Sequence, residues 1–149
     1  MEGAGTLADT FKNASLLLDG TGIVTIYTVP TASPGVTGTP PVFPTTTVIK
    51  SILVCNYHAS TATLVDVGFV DYSVSTTTVM DLVKEKSVAA ETTVELLTQP
   101  LVLEESDILK VKANAANQVT ITASLLEITK GDLYSTLLLY LLLLFFLLI

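Results

Sequence analysis

From residue 23 to residue 125 the chain is a succession of short runs rich in Val, Ile and Thr, each closed by proline, glycine or a polar cluster. This punctuation constrains the fold more than any other feature. Runs of this length with alternating apolar residues make half-buried strands, and regular spacing of about 8–12 residues between turn signals marks a sandwich or barrel. The clearest runs are Ile23–Val29, Thr46–Asn56, Thr63–Val70, Ile108–Ala113 and Val119–Leu125. Val79–Lys84, Ala90–Leu97 and Leu101–Leu103 read as further strands. The expected fold is all-β: an antiparallel β-sandwich or jelly roll of about eight strands.

Within that frame several local expectations follow. Thr46–Asn56 carries apolar residues on both faces, as a central strand would. Strict alternation puts Val48, Ile52 and Val54 on one side and Ile49, Leu53 and Cys55 on the other. Thr63–Val70 turns Val65, Val67 and Phe69 inward, with Leu64, Asp66 and Gly68 outward. The short loop between these two runs signals a hairpin. Leu7–Lys12 suits a helical turn, Leu16–Leu18 a short strand, and Lys84–Glu85–Lys86 a charged turn after a strand. Residues 30–44 hold five of the six prolines and read as a surface loop that leaves the body and returns. The organisation is therefore an N-terminal arm over 1–20, a sandwich domain over 21–130 and an apolar segment over 131–149.

Composition narrows the function. The 149 residues are 50% hydrophobic, ample for a single core. Seven basic against fourteen acidic residues give a net charge of −7, which repels phosphate backbones and argues against nucleic acid as a partner. One cysteine excludes an internal disulfide framework, and one histidine leaves little for zinc or a triad. Cys55, His58 and Asp66 are the set nearest to a nucleophilic site. Cys55 and His58 are too close along one turn to face one another, and a core cysteine and a turn histidine are the better readings. Glu104, Glu105 and Asp107 form an acidic turn whose oxygens would suit calcium, but EF-hand spacing is missing and a solvated turn is commoner. Asp66 and Asp71 lack an aromatic cleft and read as surface charge rather than a glycosidase pair. No enzyme, cofactor or metal is expected.

Thr25-Ile26-Tyr27-Thr28-Val29-Pro30 and Val48-Ile49-Lys50-Ser51-Ile52-Leu53-Val54-Cys55-Asn56, followed by Leu101-Val102-Leu103-Glu104-Glu105-Ser106-Asp107-Ile108-Leu109-Lys110-Val111, together resemble small structural proteins of tailed bacteriophages. The resemblance runs from about Ile23 to Ile128. Two departures stand out: the loop from Thr31 to Pro44 is longer and richer in proline, and Ser106 stands where glycine is usual. The resemblance implies a non-enzymatic virion component, assembled in many copies on capsid, neck or tail in a decoration, cement or connector role. Its partners would be copies of itself and other virion proteins, and its place the phage particle, assembled in the host cytoplasm. Residues expected to touch partners are Pro34, Pro40, Pro41 and Phe43 of the loop, with Tyr57 and Tyr72. Two alternatives compete. A fibre-tip module would grip host carbohydrate by stacking sugars on Tyr27, Tyr57 or Tyr72. A tail-anchored membrane protein would use residues 133–149, the one stretch offering a membrane contact.

The thirteen residues from Leu137 to Ile149 are apolar without exception. As a helix they would span about 20 Å, short of the ~30 Å hydrocarbon core. Protein or lipid must cover such a run.

Overall fold

A computed structural model describes residues 9–36 and 42–129, in which nine strands form two antiparallel sheets. They are β1 (Asp9–Leu17), β2 (Val24–Thr28), β3 (Thr45–Asn56), β4 (Thr63–Val70), β5 (Met80–Val88), β6 (Thr92–Glu95), β7 (Leu101–Leu103), β8 (Ile108–Ala113) and β9 (Val119–Thr129). The first sheet runs β1-β9-β3-β6, with β7 on the same edge of β3 as β6; the second runs β2-β8-β4-β5.

The pairings have a simple logic. β4 pairs with β5, β3 with β6 and β7, β2 with β8, and β1 with β9. The chain is thus one long antiparallel ribbon folded at the β4–β5 turn. Rolling the ribbon adds the contacts of β9 with β3 and of β8 with β4. Taking β6 and β7 as two halves of one strand gives an eight-stranded jelly roll. The expected fold class is the observed one.

The core lies between the sheets. Ile49, Ile52, Val54, Ile121, Ala123 and Leu125 of the first sheet meet Val65, Val67, Val88, Leu109, Val111 and Ala113 of the second, all essentially without solvent contact. Each supplies the inward half of a period-two pattern.

Four local expectations change. Residues 46–70 are not a hairpin: β3 lies in the first sheet and β4 in the second, so the turn is an arch across the core. Its corner is Asn56, fully buried, whose Nδ2 donates to the Thr61 carbonyl at 2.9 Å and the Val88 carbonyl at 3.0 Å. Its Oδ1 accepts the His58 N–H at 3.0 Å. Side-chain bonds here replace the strand ladder that a hairpin would provide. Within β3, a bulge between Ile49 and Ser51 shifts the alternation, so that Ile49 points inward with Ile52 and Val54, and Val48 points outward with Leu53 and Cys55. One extra residue reverses every later side chain. Residues 9–12 belong to an edge strand rather than a helical turn, because β1 pairs continuously with β9 from Asp9 to Leu17. The described part of the expected 1–20 arm is therefore built into the sandwich. Finally, Lys84–Lys86 does not end β5. The strand passes through it with two register shifts against β4, and Glu85 takes a left-handed φ of 48°.

Candidate functional site

The arches gather at the two ends of the sandwich, and the chemistry-bearing residues divide between them. One end holds Leu18, Tyr57, His58, Glu91 and Asn117. Tyr57 donates its backbone N–H to the Gln118 carbonyl at 3.0 Å and its hydroxyl to the Asn117 carbonyl at 2.6 Å. Glu91 N–H reaches the His58 carbonyl at 3.2 Å. The His58 ring belongs to its own turn, Nδ1 accepting the Ser60 and Thr61 N–H groups at 3.2 and 3.0 Å. Cys55 lies on the outer face of the first sheet, opposite Thr93 and Thr120. Its sulfur is therefore on a different surface from the turn that His58 organises. His58 is the turn residue expected, whereas Cys55 is half-buried on the outer face and not in the core as expected, because the β3 bulge sets which side chains point inward.

The opposite end is built around the acidic turn. Asp107, only 5% exposed, accepts the Tyr72 N–H on Oδ1 at 2.9 Å and the Glu104 N–H on Oδ2 at 2.8 Å. Its carbonyl accepts the Val29 N–H at 2.9 Å. The Glu105 carboxylate takes the Ala32 N–H, and the Thr31 and Ser106 hydroxyls meet at 3.0 Å. Here the acids hold backbone rather than a cation, tying the base of the proline-rich loop and the 71–75 turn to one hub. Ser106, at the glycine place, has φ of 72°, so the turn keeps the left-handed geometry at a cost that glycine would avoid. The loop folds back on itself through an antiparallel bridge between Ser33 and Val42.

Of the residues expected to touch partners, Pro34, Phe43 and Tyr72 belong to this loop end, with Pro34 exposed and Tyr72 48% exposed. Pro40 and Pro41 lie outside the described residues. Tyr57 is at the other end of the sandwich, because β4 crosses the whole sheet between the two arches. Tyr57 and Tyr72 therefore cannot share one sugar. Tyr27 is half-buried, with its hydroxyl donated to Glu127 Oε1 at 2.6 Å and within 3.0 Å of Thr47 Oγ1. Burial first, then the Glu127 hydrogen bond, pushes its ionisation well above the ordinary tyrosine range. Glu127, nearly buried, also holds Lys12 of the edge strand at 2.6 Å.

Sequence reasoning missed the roles of Asp107, Asn56, Glu95 and Glu127. The available signal was a polar residue inside, or at the end of, an otherwise apolar alternation. Glu95 sits where β6 ends and the β3 bulge interrupts the ladder. Its carboxylate accepts the Ile52 and Leu97 N–H groups at 2.8 and 2.9 Å and the Ser51 hydroxyl. Desolvation raises its pKa, but the Ser51 and backbone hydrogen bonds outweigh that and hold it below the ordinary carboxylate value.

The outer faces of the two sheets differ. On the first, Phe11, Leu126, Val48 and Val102 stand side by side across β1, β9, β3 and β7. Phe11 is 73% and Val102 57% exposed. On the second, Asp66, Asp81, Lys84, Lys110 and Lys112 border a small depression of about 60 Å³. Lys84 lies 3.4 Å from Asp66 and 3.2 Å from Asp81. Among the described residues there is no cluster of three metal-binding side chains and no helix long and apolar enough to cross a membrane.

No protein-family model matches the chain, and no curated protein matches it. Among solved structures it is similar to a protein of the T13 IBDV viral particle, with TM-score 0.47, 8% identity, 85% of this chain and 32% of that chain covered. It is similar also to a pentameric capsid protein isolated from metagenomic phage sequences, with TM-score 0.39, 17% identity, 82% of this chain and 64% of that chain covered. A third is a protein of the infectious bursal disease virus Gt strain, at TM-score 0.40 and 12% identity, covering 88% of this chain and 32% of that one. The chain spans between about a third and two thirds of the length of these proteins. Its own class, an antiparallel jelly-roll sandwich, follows from the strand pairings.

Proposed function

We propose that this protein is a non-enzymatic structural component of a tailed-phage particle, present in many copies on capsid, neck or tail. The observation that carries this is the use made of its polar side chains. Asp107, Asn56, Glu95, Glu127, Asp66 and His58 all hold backbone or strands in place, so the chemistry of the chain builds a rigid body. The phage-like motifs of β2, β3 and the β7–β8 turn support the same reading. Jelly rolls serve capsids and also lectins, so the fold supports it only by analogy. The separation of Tyr57 from Tyr72 disfavours the lectin use.

Contacts with neighbours would be made at the loop end, where Pro34, Phe43 and Tyr72 stand over the Asp107 hub. Repetition in a symmetric particle lets modest contacts add through avidity. Mass spectrometry of intact, purified phage particles tests the proposal. The expected result is the chain in a fixed, multiple copy number; its absence from particles, with a monomer in solution, would overturn it.

A further inference from the structure

The apolar row Phe11–Leu126–Val48–Val102 crosses four strands, and no apolar element among the described residues covers it; Phe11 meets only the Lys50 ammonium, 5.9 Å from its ring centre. A row of that kind on a soluble domain marks a contact that covers it. The residues beyond β9 include thirteen consecutive apolar positions, 137–149. An apolar row on the sheet and an apolar run of sequence thus belong to one chain.

We infer that residues 137–149 of the same molecule dock on this row and close the outer face of the first sheet. Three observations select this occupant. The tail leaves from the right place: β9 ends at Thr129, three residues past Leu126, which is itself in the row. The seven residues 130–136 can reach roughly 23 Å when extended, while the row spans three strand spacings, roughly 14 Å. Thirteen residues cover that width either extended or as a helix of about 20 Å. Chemistry excludes the other face, because the second sheet presents Asp66, Asp81, Lys84, Lys110 and Lys112, against which an apolar tail would strip water from charges. Beside the row the first sheet places one cation, Lys50, whose ammonium lies 5.9 Å from the Phe11 ring centre and can stay in water while its stem is covered, and neutral pairs, with Asn13 bonded to Ser124 at 2.9 Å and Ser15 to Thr122 at 3.0 Å. These paired side chains already satisfy one another and lose little on being covered.

The inference concerns the isolated chain and stands apart from the virion proposal. Its test is cysteine cross-linking of the full-length protein in a Cys55→Ser background, under dilute conditions. Val102→Cys is combined with Leu141→Cys, and as a control Leu64→Cys, exposed on the second sheet, is combined with Leu141→Cys. With a short bis-maleimide, the Val102 pair should form an intramolecular link at least about tenfold faster than the Leu64 pair, the effect of a raised local concentration. Equal rates would overturn the inference. Links that form only between molecules would also overturn it and assign the row to a second copy. Adding phosphatidylcholine vesicles should leave the link intact; its loss, with the protein floating with the lipid, would show that the segment prefers a membrane. Both tested positions on the sheets are exposed, so the variants should fold. Val102→Asp gives an independent readout: protease cleavage within 137–149 should rise about tenfold while the β-sheet circular dichroism is unchanged, and unchanged cleavage would count against docking.

Discussion

The two sheets face one core but pair their strands differently. In the first, β1 and β9 stay in register over nine residue pairs, and β9 and β3 over eleven with one bulge. Its outer face mixes Thr, Ser and Asn with the apolar row, with Leu17, Leu53 and Cys55, and with the charged Lys50 and Glu95. In the second, β2 shifts against β8 once and β5 shifts against β4 twice. There the geometry depends on individual residues. Gly68 lies at a register shift where a Cβ would stand 2.6 Å from the Met80 carbonyl oxygen. Asp66 accepts the N–H of the left-handed Glu85 at 2.6 Å and draws in Lys84. The comparison teaches that a period-two pattern suffices for a regular sheet, whereas a bulged one needs a specific residue at each irregularity.

That contrast can be broken by mutation. Gly68→Ala should have the largest effect, about 3 kcal/mol of lost stability in urea unfolding, because the new methyl group meets backbone and β5 must move. Leu53→Thr, at an outward position of the first sheet, should cost less than about 0.5 kcal/mol. Equal losses would end the distinction. Asn56→Ala, at the corner joining the sheets, should cost about 2–3 kcal/mol by leaving buried carbonyls unpaired. Asp107→Ala should cost a similar amount and speed hydrogen exchange at Tyr72 and Glu104, whose N–H groups its carboxylate accepts, while Val29, bonded to the main-chain carbonyl, changes less.

Smaller effects sharpen the comparison through pH. Glu95 has a depressed pKa in the folded state, so its contribution is present above the unfolded value of about 4.5 and is lost as pH falls below it. Glu95→Gln should therefore flatten the acid limb of the stability curve. Tyr27 has a raised pKa, so its contribution is complete below about 10 and is lost as pH rises beyond that. Tyr27→Phe should flatten the alkaline limb. One expected change is a gain: Ser106→Gly relieves a left-handed serine and should add about 0.5–1 kcal/mol, less the lost contact with Thr31.

How far the site was legible follows from the same residues. The alternation of β4 and β8 could be read directly, because inward Val65, Leu109 and Val111 are followed by outward Asp66, Lys110 and Lys112, and inward Val67 by Gly68. Ser106 was recognisable as a departure because the turn motif names a glycine there. Asp107 was legible as part of an acidic turn but not as a hub, since its partners Tyr72 and Val29 are 35 and 78 positions away along the chain. Tyr57 and Tyr72 looked equivalent in sequence. Their separation depends on β4 running from one end of the sandwich to the other.

The amino-acid sequence by itself determined which segments are strands, where most of them stop and which side chains of each regular strand are apolar. These properties depend on neighbours two or three positions apart. Only the tertiary structure decided which sheet each strand joined. An apolar alternation satisfies a hydrogen-bonded neighbour and a neighbour across the core equally well, so β3 followed by β4 reads the same as a hairpin or an arch. The choice was made by long-range pairing, in which β9 takes the edge of β3 that β4 would have needed, and by Asn56, whose buried hydrogen bonds make the corner possible.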